Sequence, residues 1–161
     1  MAQQILQTPG LPDQHWTYQR CDGAAGSSYC SFSNADGDVI TLRMINQQVG
    51  AAHAASEMRF DRTAYPTDAV EYVKGFVEAW RNANTMRMRA LSSPSEVDYF
   101  RQYTPPDTYS VCMFQTDSVW QVRLFNPGGL NYLIRVTTTA LGTKHAISGH
   151  TDPVPLPPPC S

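Results

Sequence analysis

The chain has 161 residues, a net charge of −2 and only 16% charged residues. A chain so near neutrality has no broad field for nucleic acid or acidic lipid, and 42% hydrophobic content with 11% aromatics excludes a disordered polymer. No apolar run approaches the roughly 18–20 residues of a membrane helix, so neither nucleic-acid binding nor membrane insertion is expected.

The length suits one domain or two small halves. Residues 1–15 carry Pro9, Gly10 and Pro12 without a period and read as an extended arm. No basic segment followed by an apolar stretch is visible, so no signal peptide is read; a mature secreted chain behind an initiating methionine looks the same. Residues 16–60 alternate and break at turn residues, which predicts strands over 16–20, 29–33, 39–45 and 53–60. Residues 21–28, rich in Gly and Ser, read as a loop. Asn34-Ala-Asp-Gly37 reads as a hairpin turn, because Asp-Gly supplies the positive φ that such turns require.

A helical stretch follows. Thr67 or Asp68 can cap it, and Glu71 in the first turn suits the helix dipole. Val70, Val73, Phe76, Val77 and Trp80 form one apolar stripe of 3.6-residue period. Asn82-Ala-Asn84 ends it. A second helix is expected over 85–91. Ser93-Pro94-Ser95-Glu96 has the capping-box pattern and opens a third, to about residue 102. Arg81, Arg87, Arg89 and Arg101 make this segment basic, the mark of a solvated helix face.

Strands over 109–114, 119–125, 132–139 and 145–150 complete a second meander, with Asn126-Pro-Gly-Gly129 as its turn. The Pro-rich tail, 151–161, is expected to be extended. The fold class is therefore α+β: two pseudo-symmetric four-stranded antiparallel meanders with three intervening helices packed on the sheet. Residues 16–150 read as one duplicated domain.

The duplication is read from identities. Asn34, Gly37, Arg43, Gly50, His53, Ala54 and Ser56 recur as Asn126, Gly129, Arg135, Gly142, His145, Ala146 and Ser148, always 92 positions on. Thr17-Tyr18-x-x-Cys21 recurs as Thr108-Tyr109-x-x-Cys112, 91 positions on. A residue needed in both copies points to architecture before catalysis.

Cys21 and Cys30 flank the Gly/Ser loop between adjacent strands, a placement that suits a disulfide. On this reading Cys112 takes the place of Cys21 in the second copy, with Val122 near the place of Cys30. Cys112 then pairs with Cys160 on the tail, or both are free, or Cys160 joins another chain. Four cysteines beside few lysines and many Thr, Ser, Asn and Gln read as extracytoplasmic. No thioredoxin or zinc spacing is present, and Asp36 and Asp38 offer too few oxygens for calcium, so no metal or cofactor is expected.

His53 and His145 invite an acid/base role, but each follows a glycine at an equivalent strand start, which suits a repeated turn contact. Arg43 and Arg135 sit mid-strand in both copies and either bridge strands or hold an anion. These four are the candidate ligand-binding residues. Ser92 and Ser93 lack the context of a nucleophile elbow.

The helical string Tyr72-Val-x-x-Phe76-Val-x-Ala79-Trp80-x-x-Ala83-Asn84-x-x-Arg87-Met88-x-x-Leu91, followed by a four-stranded meander, resembles the cystatin-like α+β fold and, more narrowly, nuclear-transport-factor-two-like domains of secreted bacterial proteins. The duplicated elements also resemble tandem-repeat secreted proteins of uncharacterised function. The resemblance spans roughly residues 66–150. It implies either a non-catalytic binding domain or a cyclase, isomerase or hydrolase with its site between helices and sheet. The expected function is a secreted, non-catalytic binding or assembly module for a protein, a cell-surface polymer or itself. The alternatives are a small-molecule enzyme using Asp98, Arg135 and His145, and a subunit of an extracellular polymer.

Overall fold

The computed structural model describes residues 15–49, 54–116, 118–125 and 131–151. The chain divides into two compact units, Met1–Thr63 and Ala64–Ser161. Each contains one four-stranded antiparallel sheet with strands in chain order.

In the first unit β1 (Thr17–Ala24), β2 (Ser27–Ser33), β3 (Val39–Ile45) and β4 (Ala55–Asp61) form the meander. The expected loop over 21–28 is instead strand on both sides of a two-residue turn at Ala25 and Gly26. Gly26 supplies the positive φ, 93°, that a tight hairpin needs. Cys21 faces Cys30 across this hairpin, and the two are disulfide-bonded. Ile40 and Leu42 are buried on the central strand, and Phe32 and Phe60 face Ile40 from either side.

The turn between β2 and β3 is built on Asn34, which is only 1% exposed. Its Oδ1 accepts the N–H groups of Asp36 and Asp38, and its Nδ2 donates to Asp38 Oδ2 at 2.9 Å. Asp38 Oδ1 in turn accepts the N–H of Thr63 at 2.7 Å. These contacts make Asp38 a clasp between the turn and the chain leaving β4.

The second unit begins with α1 (Ala69–Arg81), α2 (Thr85–Leu91) and α3 (Pro94–Phe100). Asp68 caps α1, accepting the N–H of Glu71. The helix ends in a Schellman motif: Asn84 N–H donates to Ala79 O and Ala83 N–H to Trp80 O. Ala83 takes the left-handed position, with φ 52°. Asn84 and Ser93 cap the next two helices.

The sheet of β5 (Ser110–Thr116), β6 (Val119–Phe125), β7 (Tyr132–Thr137) and β8 (Ile147–Thr151) follows. The helices cover the face carrying Val122, Leu124, Ile134 and Val136. Phe76, Trp80, Phe100 and Tyr132 interlock there edge to face at 5.2–6.0 Å between ring centres, a geometry aromatic quadrupoles favour. Short 3₁₀ turns, Asn46–Gln48 and Thr138–Ala140, follow β3 and β7. The strand expected to continue to residue 139 therefore stops at Thr137.

The two meanders share a pairing register. Cys30 faces Leu42 and Phe32 faces Ile40; 92 positions on, Val122 faces Ile134 and Leu124 faces Tyr132. The register shift between Arg43 and Met44 recurs between Arg135 and Val136. The bond from Ile45 N to Ala54 O recurs as Thr137 N to Ala146 O.

The cysteine equivalence is corrected by the same ladders. Met113, not Cys112, faces Val122 and so holds the place of Cys21. Cys112 faces Arg123, which is the rung of Arg20 and Ser31. The inward alternation of Val122 and Leu124 sets this register, and a one-residue slip sends a side chain to the opposite face. An extra residue, Gln19, between Tyr18 and Arg20 bulges β1 and displaces the Thr-Tyr pair further.

Candidate functional site

The described residues expected to carry chemistry fall on different elements of the two units. Arg43 is exposed on β3, facing Glu57 of β4. Arg135 is exposed on β7, on the sheet face away from the helices, where its stem lies 3.7 Å from the position a side chain on Gly149 would occupy. Asp98 is exposed on α3, and its carbonyl accepts from Gln102 Nε2. His145 is exposed, with φ 62°, and its backbone N–H donates to Ala90 O at 3.0 Å. Histidine is among the non-glycine residues enriched in this left-handed region. The position thus uses the backbone of His145. Asp98, Arg135 and His145 stand on a helix, an outer sheet face and a turn. His53 and Cys160 lie outside the described residues.

Cys21 and Cys30 are bonded as expected. Cys112 is also in a disulfide. Ser92 is fully buried and its hydroxyl donates to Met88 O at 2.9 Å, which makes it part of the α2 terminus.

The sequence does not mark an acid–base contact made between α3 and β8. The N–H at His150 Nδ1 donates to Glu96 Oε2 at 2.6 Å. Glu96 is 7% exposed. Its backbone N–H meets Ser93 Oγ as the capping pattern expects, but its carboxylate is engaged by β8. Tyr99 stacks on the imidazole at 3.5 Å with the planes 24° apart, and Phe100 meets it edge-on at 5.7 Å. Tyr103 leans on Tyr99 at 5.1 Å. A carboxylate bonded to Nδ1 fixes the tautomer and orientation of a histidine ring, so this cluster can hold an imidazole for acid–base work. It equally fastens α3 to β8. In the sequence Glu96 reads only as the acidic member of a capping box.

Among the described residues no group of three His, Cys, Asp or Glu side chains is placed to hold a metal ion, and no helix is long and apolar enough to cross a membrane. In comparisons with family models, curated proteins and solved structures, none matches the chain.

Proposed function

We propose that the protein is a secreted, non-catalytic recognition or assembly module that binds a partner protein, a cell-surface polymer or another copy of itself. The observation that carries this reading is the first strand. Every residue from Thr17 to Gly23 is exposed on β1, an edge strand of eight residues. Tyr18 is 56% exposed, and Met58, on the same sheet face, is 45% exposed. A long open edge is a pairing template that proteins normally blunt, and here a disulfide holds it extended. That bond also supports an extracytoplasmic home, since such bonds persist under oxidising conditions.

The matching rungs of the two sheets support an ancestral duplication. Helices preceding a four-stranded meander in the second unit support the cystatin-like or nuclear-transport-factor-two-like reading of residues 66–150.

The test is direct. Labelled protein is titrated onto an immobilised cell-wall glycan, onto extended peptides and onto the immobilised protein itself. Saturable binding to at least one surface is expected, weakened by Tyr18→Ser. No saturable binding to any of them would overturn the proposal.

The Glu96–His150 contact favours a second reading, a small-molecule cyclase, isomerase or hydrolase with its site between helices and sheet. Turnover of an activated ester that is lost in a folded His150→Gln variant would establish it.

A further inference from the structure

We infer that the open edge of β1 pairs antiparallel with β1 of a second copy of this chain, on a two-fold axis at Cys21. This rests on the recognition reading above and names its partner.

The direction of the backbone groups comes first. The Cα atoms of Cys21 and Cys30 are 4.0 Å apart. Facing residues of an antiparallel pair alternate between hydrogen-bonded sites, about 5.5 Å apart, and non-hydrogen-bonded sites, about 4.5 Å apart. Cys21 therefore occupies a non-bonded site towards β2, and its N–H and C=O point out of the sheet. The turn gives the same parity independently. Ala24 and Ser27 flank a two-residue turn and form its closing bonded pair, so Gly23 and Cys21 face outward. Both are exposed.

Charge then selects the register. A symmetric antiparallel pair must place one residue opposite its own copy. Centred on Arg20 or on Asp22, the pair would set like charges face to face. Centred on Cys21, it sets Arg20 against Asp22 twice, and opposite charges on facing strands attract. The same centre lets Cys21 exchange two backbone bonds with its counterpart. Arg20 and Asp22 lie 3.1 Å apart within one chain, with side chains 68% and 70% exposed. Two such pairs would form an alternating cluster of four charges. The bulge at Gln19 keeps the β1 ladder short, so the dimer should be concentration-dependent.

Sedimentation velocity on the full chain tests this. The wild type should dimerise as concentration rises, and so should Arg20→Lys. Arg20→Asp and Asp22→Arg should each weaken dimerisation by about tenfold or more, with near-ultraviolet circular dichroism unchanged. An equimolar mixture of these two variants should form a heterodimer, because a doubly acidic strand then faces a doubly basic one. A wild type that stays monomeric would overturn the inference, as would dimers indifferent to both substitutions or a mixture that fails to associate. A monomer that still binds an extended peptide would remove the second copy as occupant and leave the recognition reading standing.

Discussion

The hydroxyl of Tyr72 accepts the N–H of Ala146 at 3.2 Å, across 74 residues of sequence. It also donates to Thr143 O at 2.7 Å. One buried side chain on α1 thereby fixes the turn that starts β8. Tyr72→Phe keeps the ring but strands both backbone groups, at a cost of about 1–3 kcal/mol. A urea titration at neutral pH measures it.

The same residue predicts an alkaline weakness. Burial, above all, holds the Tyr72 phenol above its ordinary value of 10.0, while the Ala146 N–H acts the other way and nearby Tyr65 adds to the rise. Burial also raises Tyr132 and Tyr109. A folded-state value above the unfolded one means that the folded chain holds these protons more tightly. The contribution is complete below pH 10.0 and is lost as pH rises through the folded values. Thermal melts from about pH 8 to about pH 11 should therefore show falling stability, with a shallower decline in Tyr72→Phe. An identical slope in the variant would contradict the assignment.

Two positions should gain from glycine. Ala83 and His145 both hold left-handed backbone, at φ 52° and 62°. Ala83→Gly relieves the Cβ at the Schellman position and should stabilise by about 1 kcal/mol. His145→Gly should be neutral or stabilising, since only the backbone N–H of that residue is engaged by Ala90. Marked destabilisation of the second variant would assign the imidazole a structural contact.

Reduction should loosen the first unit. The Cys21–Cys30 bridge spans nine positions, and removing it with a double serine substitution should cost about 2–3 kcal/mol through the unfolded state. Non-reducing peptide mapping should recover Cys21 and Cys30 in one linked fragment.

Glu96→Ala should be costlier than Glu96→Gln. The alanine removes the carboxylate oxygen that meets His150 Nδ1 in a mostly buried place, an effect of about 1–3 kcal/mol. The glutamine keeps an oxygen within reach. Denaturant melts of the pair rank the two.

Local periodicity made much of this fold readable. β3, β6 and α2 begin and end where alternation and caps place them, at Val39–Ile45, Val119–Phe125 and Thr85–Leu91. The Gly/Ser stretch 21–28 misled because composition alone reads as loop, whereas one positive-φ glycine suffices to turn the chain and leave its flanks paired. The Thr-Tyr-x-x-Cys identity misled for another reason: residue matching ignores the pleat, and an offset of 91 positions where the ladders repeat at 92 puts Cys112 one rung from the place of Cys21, on the other face. The Glu96–His150 contact was illegible because its partners are 54 residues apart and meet only when α3 docks on β8. By contrast, Arg43 and Arg135 lie mid-strand where alternation places them, whereas His145, expected to open a strand, sits with left-handed backbone in the turn before β8.

The clasp of Asp38 on Thr63 has a mechanical corollary. Thr63 is the last residue of the first unit, so the connecting chain departs from a point already moored to a hairpin bend. Tension applied from downstream would load that carboxylate before it could peel β4 from its neighbour, much as a cleat takes the strain ahead of the rope's free end.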